Sequence, residues 1–453
     1  MSTQTSQPAR PTITAAQSRR AAFGGFMGAV VEWYDFLLYG LLAGMVFNTD
    51  FFPSTDPAIG VISAFAVFGV GFLFRPLGGL FFGHHGDRLG AKRMLTWTML
   101  LAGGATVAMG FLPTYHQVGL AAPVMLVALR ALQGFAIGGE WGGASLMAVS
   151  QAPAGRRAFF SSGVQIGYSV GLLMANAAVM VMSSVLSEEA FASWGWRVPF
   201  WLALPLVLLG LWVRAGVLDV HHATGTEPTA AQLAPELDTG QPLRNRRLPL
   251  LDALAENPRA FALMIAMRLG EMFSMYLVAT FALSYSTNTL GWSRDFFLDV
   301  GLVVGGVGAV SIPLWAYLSD RVGRRVVYVT GACVAAALAF PFFWAMQGHR
   351  LLLTMVIAVL LVNVGHDMMV AVQQPIFTDL FGARYRYSGA GFGYQVAAVV
   401  AGGFTPFIAS WLVHATGSWH SVAAYLLAGC LVSAVVGAVA RHPEPQLVVS
   451  TVD

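Results

Sequence analysis

Long apolar stretches, broken at short intervals by polar punctuation, run through this chain from end to end. Twelve are legible, at residues 23–47, 59–83, 95–113, 120–149, 159–186, 198–218, 260–288, 296–318, 326–346, 351–380, 388–414 and 419–440. Each is about 20 residues or longer, the length an α-helix needs to cross a hydrocarbon core of roughly 30 Å. Backbone groups in lipid must be satisfied internally, so the pattern predicts an all-α membrane protein of twelve transmembrane helices. Only one internal polar segment is long, at about 219–257. It is too short for a separate soluble domain and divides the chain in two. The expected organisation is a tail at 1–22, a six-helix bundle at 23–218, a linker at 219–258, a second six-helix bundle at 259–441 and a tail at 442–453. The N-terminus lacks the pattern of a cleaved signal peptide, so the first span is expected to persist.

Composition agrees. Hydrophobic residues make up 57% and charged residues 10%, against roughly 25% charged in soluble domains. The two cysteines, Cys333 and Cys430, both fall in apolar runs. They suggest neither a disulfide framework nor a metal site. Lys92 is the only lysine, so arginine decides the orientation. With the N-terminus cytoplasmic, nineteen basic residues fall in cytoplasmic segments and three, Arg197, Arg294 and Arg350, on the opposite side. Both termini are therefore expected in the cytoplasm. The run RNRR at 244–247 is explained as a topology signal beside anionic lipid, with no nucleic-acid partner needed.

Charge inside the spans is rarer and more telling. Away from their ends, by more than four residues, the predicted spans hold five acids (Glu32, Asp35, Glu140, Glu271, Asp367) and three arginines (Arg75, Arg130, Arg268). A carboxylate at a span's centre costs about 2.5–3.5 kcal/mol even on lenient scales. Glu32 and Asp35, three residues apart, share one helix face. Either Glu32 sits near an aqueous end or bridges a neighbouring helix, or the face looks into a watery cavity. Two acids exceed the arginines. Desolvation disfavours a charged carboxyl, so such an acid can take a proton near neutral pH and release it when the cavity opens. Arg268 and Glu271, at i and i+3, could simply neutralise each other. In the tenth run Asn363, Asp367 and Gln374 form a helical stripe flanked by His366 and Gln373, and Pro375 is expected to bend the helix. Tyr394 and Gln395 follow in the eleventh run. Gln165 and Tyr168 lie in the fifth, where Gly163, Gly167 and Gly171 suggest a close-packing face.

Two loops repeat. GHHGDRLGAKR at 83–93 follows the second run, and LSDRVGRR at 318–325 follows the eighth. Asp87 and Asp320 are 233 residues apart, about half the chain. Repeated halves are what a two-bundle secondary transporter needs, with its site between them near mid-membrane. An acid at a helix end with arginines beyond it can latch neighbouring helices in one conformer. Asp87, Arg88 and Arg93 in the first half, and Asp320, Arg321 and Arg324 in the second, are assigned that role. Glu140, roughly 15 Å along the helix from Arg130, joins them.

With EWYDF at 32–36, FRPLGG at 74–79 and RALQGFAIGGEWGG at 130–143, the chain resembles the major facilitator superfamily, in its metabolite:proton symporter branch. Further segments, including SSGVQIGY at 161–168, HDMMVAVQQPIFT at 366–378 and YRYSGAGFGYQVA at 385–397, resemble the members of that branch that carry shikimate. The likeness spans nearly the whole chain after about residue 20. It implies alternating-access import of shikimate, or a close analogue such as dehydroshikimate, with protons across the bacterial inner membrane. No cofactor besides the coupling proton is implied, and a monomer is expected. The alternative within transport is another organic acid or a zwitterion, such as 2-oxoglutarate, citrate or a betaine. A membrane enzyme is disfavoured, because no nucleophile–base set accompanies His366 and Asp367. A sugar-porter pattern of first-span acid with fourth-span arginine implies Asp35 and Arg130 as the proton pair, with Glu32 as rival. A hydroxylated carboxylate wants a guanidinium, amides, hydroxyls and imidazole. Candidate contacts are Arg75, Arg130, Gln165, Tyr168, Arg268, Glu271, Asn363, His366, Asp367, Gln374, Tyr394 and Gln395. Two details depart from a simple match. Ala91 stands where the family usually has arginine, which could weaken the first latch, and His84 and His85 are taken as structural, not as a metal pair.

Overall fold

The computed structural model describes residues 15–89, 91–139, 156–223, 254 and 256–440. No strand occurs among them. Twelve apolar helices follow the predicted runs closely. In the first half these are α1 (Gly25–Asp50), α2 (Pro57–Phe82), α3 (Thr96–Met109), α4 (Ala121–Gly138), α5 (Arg157–Val185) and α6 (Gly195–Val213). In the second they are α7 (Pro258–Asn288), α8 (Arg294–Val322), α9 (Arg324–Gln347), α10 (Leu351–Leu380), α11 (Gly389–Thr416) and α12 (His420–Val439). Only α3 is short in apolar length, because its helix begins at Ala91 beside Lys92 and Arg93.

Local chemistry sets the ends. Asp56 Oδ1 accepts from Ala58 N at 2.9 Å, and Pro57 opens α2 where a missing N–H is harmless. Ser293 caps α8, and Gly323 stops it with φ +100°, a conformation other residues avoid. Four wide π turns interrupt the spans, at Ala43–Phe47, Leu277–Phe281, Leu360–His366 and Val399–Gly403. Pro375, expected to bend its helix, lies inside the helical residues Asp367–Leu380, and the irregular turn comes just before them.

Glycine lets two helix pairs approach closely. In α4, a Cβ on Gly134 would lie 1.8 Å from the carbonyl oxygen of Gly71, and one on Gly138 would lie 1.9 Å from that of Arg75. This contact sets α2 and α4, and with them Arg75 and Arg130, at a fixed separation. Of the expected glycine face on α5, Gly167 and Gly171 abut α1, whereas Gly163 faces open space.

The halves touch on both sides of the membrane plane. Away from the termini, Asn288 Nδ2 in α7 donates to Gly44 O in α1 at 3.1 Å. On the termini side, Asp320 at the end of α8 reaches the first turn of α5. Between these two contacts the side chains of Glu32, Asp35, Arg75, Arg130, Arg268, Glu271 and Asp367 are buried.

Candidate substrate and proton site

In the first bundle, Glu32 does bridge a neighbouring helix. Its Oε1 lies 3.2 Å from Arg75 Nη1 in α2, and both side chains are buried. The Arg75 guanidinium also lies over the rings of Phe36 at 4.0 Å and Phe72 at 4.4 Å. Arg130, fully buried, packs against the opposite side of this aromatic group, 4.0 Å from the Phe36 centroid and 4.3 Å from that of Tyr39. Its Nη1 donates to Gln133 Oε1, and Gln133 Nε2 donates to Thr106 Oγ1 in α3 at 2.6 Å. Asp35 is buried within electrostatic reach of Arg130. The pairing of a first-span acid with Arg130 is thus one of shared field, while the direct ion pair belongs to Glu32 and Arg75.

In the second bundle a longer chain of polar groups forms. Arg268 Nε lies 3.3 Å from Glu271 Oε2, and Arg268 Nη1 donates to Tyr394 O at 3.2 Å. The guanidinium sits 3.6 Å over the Tyr394 ring. Glu271 Oε1 faces His366 Nε2 at 3.9 Å, and His366 Nδ1 lies 2.8 Å from Asp367 Oδ1. The other Asp367 oxygen accepts from Ser311 in α8 at 2.5 Å and from Asn363 at 3.0 Å. Arg268 and Glu271 do pair as i,i+3 neighbours, but Glu271 also hands the chain on to α10.

Tyr276, in α7, joins the halves. Its ring packs edge-on against Phe68 at 5.4 Å and Phe72 at 5.8 Å, both from α2. Arg75, Arg130 and Arg268 all share its electrostatic surroundings. The Tyr276 hydroxyl has no hydrogen-bond partner in the protein. Neither do Nε and Nη2 of Arg75, the same two atoms of Arg130, or Nη2 of Arg268. The amides of Gln374 and Gln395 add further unused donors. From α5, Gln165 Nε2 donates to Val370 O at 3.3 Å, and the Tyr168 ring lies 5.1 Å from that of His366. Buried donors without acceptors are costly, so these unused guanidinium donors are candidate contacts for an anion. Tyr276 escaped sequence reasoning because one aromatic at helical spacing looks like core. Ser311 and Thr106 carry no motif at all, and Gln133 lies inside the run RALQG without a role assigned to it.

The latch residues divide. Asp320 Oδ1 accepts from Ala158 N at 3.2 Å and Oδ2 from Phe159 N at 3.0 Å, so α8 of one half caps α5 of the other. Arg324 Nη1 lies 3.4 Å from Asp379, which also faces Arg157 of the first half at 4.0 Å. Asp379 was not foreseen, because its partners are distant in sequence. Arg321 instead stacks on Tyr317 of its own helix. The side chains of Asp87, Arg88 and Arg93, and all of Glu140, lie outside the described residues. A carboxylate capping a helix contributes on the order of 0.5–2 kcal/mol. Asp320→Asn is expected to shift the resting conformer and slow net transport, while substrate affinity changes by less than about tenfold. Complete loss of binding in a folded Asp320→Asn protein would contradict a purely conformational role.

An outer cleft of about 620 Å³, lined by Glu188, Trp292, Arg294 and Asp299 among others, lies beside the end of α5 and the start of α8, and none of the buried arginines lines it.

A two-bundle helical protein with a buried polar site at the bundle interface is a secondary transporter, and the sequence comparison agrees. The family model of the Major Facilitator Superfamily matches residues 21–392 and 272–451, and the chain belongs to that superfamily. It is a membrane transporter and not an enzyme. It is 51% identical over 439 residues to the shikimate transporter of Escherichia coli (strain K12), covering 97% of this chain and 98% of that one. It is 30% identical over 424 residues to the proline/betaine transporter of Salmonella typhimurium, covering 92% of this chain and 82% of the relative. A partially occluded, inward-open structure of the E. coli xylose transporter XylE superposes with a TM-score of 0.72 at 14% identity, covering 95% of this chain and 100% of that one.

Proposed function

We propose that the protein imports shikimate, or a close hydroxylated carboxylate, together with protons across the bacterial inner membrane, with both termini in the cytoplasm. The observation that carries this is the convergence of unused guanidinium donors of Arg75, Arg130 and Arg268 around the unpartnered Tyr276 hydroxyl. A carboxylate satisfies guanidinium donors through charge-assisted hydrogen bonds. Ring hydroxyls suit Tyr276, Gln374 and Gln395, which can both donate and accept. The identity to the E. coli shikimate transporter over nearly the full length supports the same cargo. A betaine-like zwitterion fits less well, because its quaternary ammonium would face three arginines.

Coupling follows from the buried acids. Asp35, beside Arg130, is the first-bundle group that gains a proton from one side and loses it to the other. The neutral acid leaves Arg130 free to hold the substrate carboxylate, so proton and substrate favour one another. The test is uptake of labelled shikimate into proteoliposomes with the outside acid. Accumulation is expected and should collapse with a protonophore, and excess proline or betaine should not compete. Full accumulation surviving the protonophore rules proton coupling out.

A further inference from the structure

The two bundles do not balance their buried charge alike. In the first, the buried acids Glu32 and Asp35 face the buried cations Arg75 and Arg130. In the second, Glu271 and Asp367 share one arginine, Arg268. One negative charge is in excess among the described residues there. A low-dielectric interior tolerates an uncompensated charge far less readily than water does.

His366 can make up the difference. Its ring is buried, with Nδ1 lying 2.8 Å from Asp367 Oδ1. Its Nε2 has no hydrogen-bond partner and points towards Glu271 Oε1, 3.9 Å away. Two donors, from Ser311 and Asn363, converge on one Asp367 oxygen while His366 Nδ1 faces the other, an arrangement that suits an ionised acceptor. A proton on His366 Nε2 then places an imidazolium between two carboxylates and cancels the excess. A metal ion is a poor occupant, since the Arg268 guanidinium lies 3.3 Å from Glu271.

Other titratable and charged groups surround the imidazole. Tyr168 faces the imidazole from α5, and Arg268 and Tyr276 lie on α7. Tyr328 comes from α9, Tyr394 from α11 and Cys430 from α12. The phenols, the thiol and the guanidinium all titrate above neutral pH in water, so the proton belongs to the cluster of Glu271, His366 and Asp367. Charges felt across the interface, Glu32 and Arg75, are already paired with each other.

We infer that Glu271, His366 and Asp367 form a second proton-binding site, whose proton travels with the substrate in addition to the one at Asp35. The site stands on charge and geometry; only the fate of its proton rests on the transport proposed above. Contacts from the first bundle close over it, through Tyr168 on His366 and Gln165 on the Val370 carbonyl. While the halves are closed the excess charge must be neutralised. When they part, water reaches Nε2 and the proton can leave. A substrate carboxylate at Arg268 adds one more negative charge to the same pocket and strengthens its hold on protons, so the coupling is reciprocal.

Two measurements test this. In substrate-free protein in lipid nanodiscs, an indicator dye counts protons taken up between about pH 8 and about pH 5, the range of imidazole titration. His366→Gln and Asp367→Asn should each take up one proton fewer than wild type. Uptake equal to wild type in both folded variants overturns the site, and Glu271→Gln replaces either one that does not fold. In proteoliposomes held at zero membrane potential, each coupled proton multiplies shikimate accumulation by about ten per pH unit. Wild type should reach about a hundredfold per unit, and His366→Gln about tenfold. A wild type at about tenfold with His366→Gln unchanged overturns the second proton and leaves the first intact. If wild type shows no pH-driven accumulation, the transport proposal fails instead, and the dye titration decides the site by itself.

Discussion

Arg130→Ala is expected to abolish transport and to destabilise the protein by about 3–5 kcal/mol, the typical cost of leaving a buried charge uncompensated. The residue is fully buried. Removing it leaves Gln133 Oε1 without its donor, Asp35 without the cation in its field, and empty space beside Phe36 and Tyr39. Desolvated cation–π contacts of this kind contribute about 2 kcal/mol each. Arg130→Lys separates charge from shape. Lysine restores the positive charge but not the planar fork that spans Gln133 and the ring faces. That variant is expected to recover most of the thermal stability while uptake stays low. Thermal unfolding alongside initial uptake rates checks both statements. Wild-type uptake by Arg130→Ala would remove the residue from the transport site altogether.

Asp35→Asn is expected to separate exchange from accumulation. Asparagine has the shape of the protonated acid, so the variant is locked in the proton-loaded form. Substrate should bind, and counterflow of labelled against unlabelled shikimate should proceed near the wild-type rate. Accumulation driven by a pH gradient should fall about tenfold for each unit of gradient, because one coupled proton is lost. This loss is the same whether or not the second bundle carries a further proton. Counterflow measured beside pH-driven uptake in one preparation settles it. Accumulation at the wild-type level shows that Asp35 carries nothing, and the same pair of measurements on Glu32→Gln would follow. Glu32 is the weaker candidate, because its ion pair with Arg75 at 3.2 Å gives it a fixed partner.

Twelve helices at the positions of the twelve apolar runs were legible in the sequence for a physical reason. A backbone in lipid must satisfy its own hydrogen bonds, so apolar length alone selects an α-helix and its approximate ends. The same holds for which residues matter. Every buried charge in the described spans, from Glu32 and Asp35 to Arg268 and Asp367, stood out as a polar residue in an apolar run. Even the alternatives were legible: that Glu32 bridges a neighbouring helix and that Arg268 pairs with Glu271 are both found.

Partnership was another matter. Nothing along the chain says that Glu32 meets Arg75 while Gln133 takes the hydrogen bond of Arg130, or that Asp320 caps a helix 162 positions earlier. Tyr276 looked like core packing until Phe68 and Phe72 of the other half were seen against it. The π turn at Leu360–His366, which precedes Asp367 and carries Asn363 and His366, has no sequence signature of its own. Burial and charge are properties a residue brings with it, and lipid enforces them one helix at a time. Distances between side chains depend instead on how helices pack, and here that is set by contacts such as Gly134 against Gly71. The sequence by itself therefore determined the spans and the set of charged residues inside them. Only the tertiary structure decided which acid shares which arginine, and so where a proton is needed.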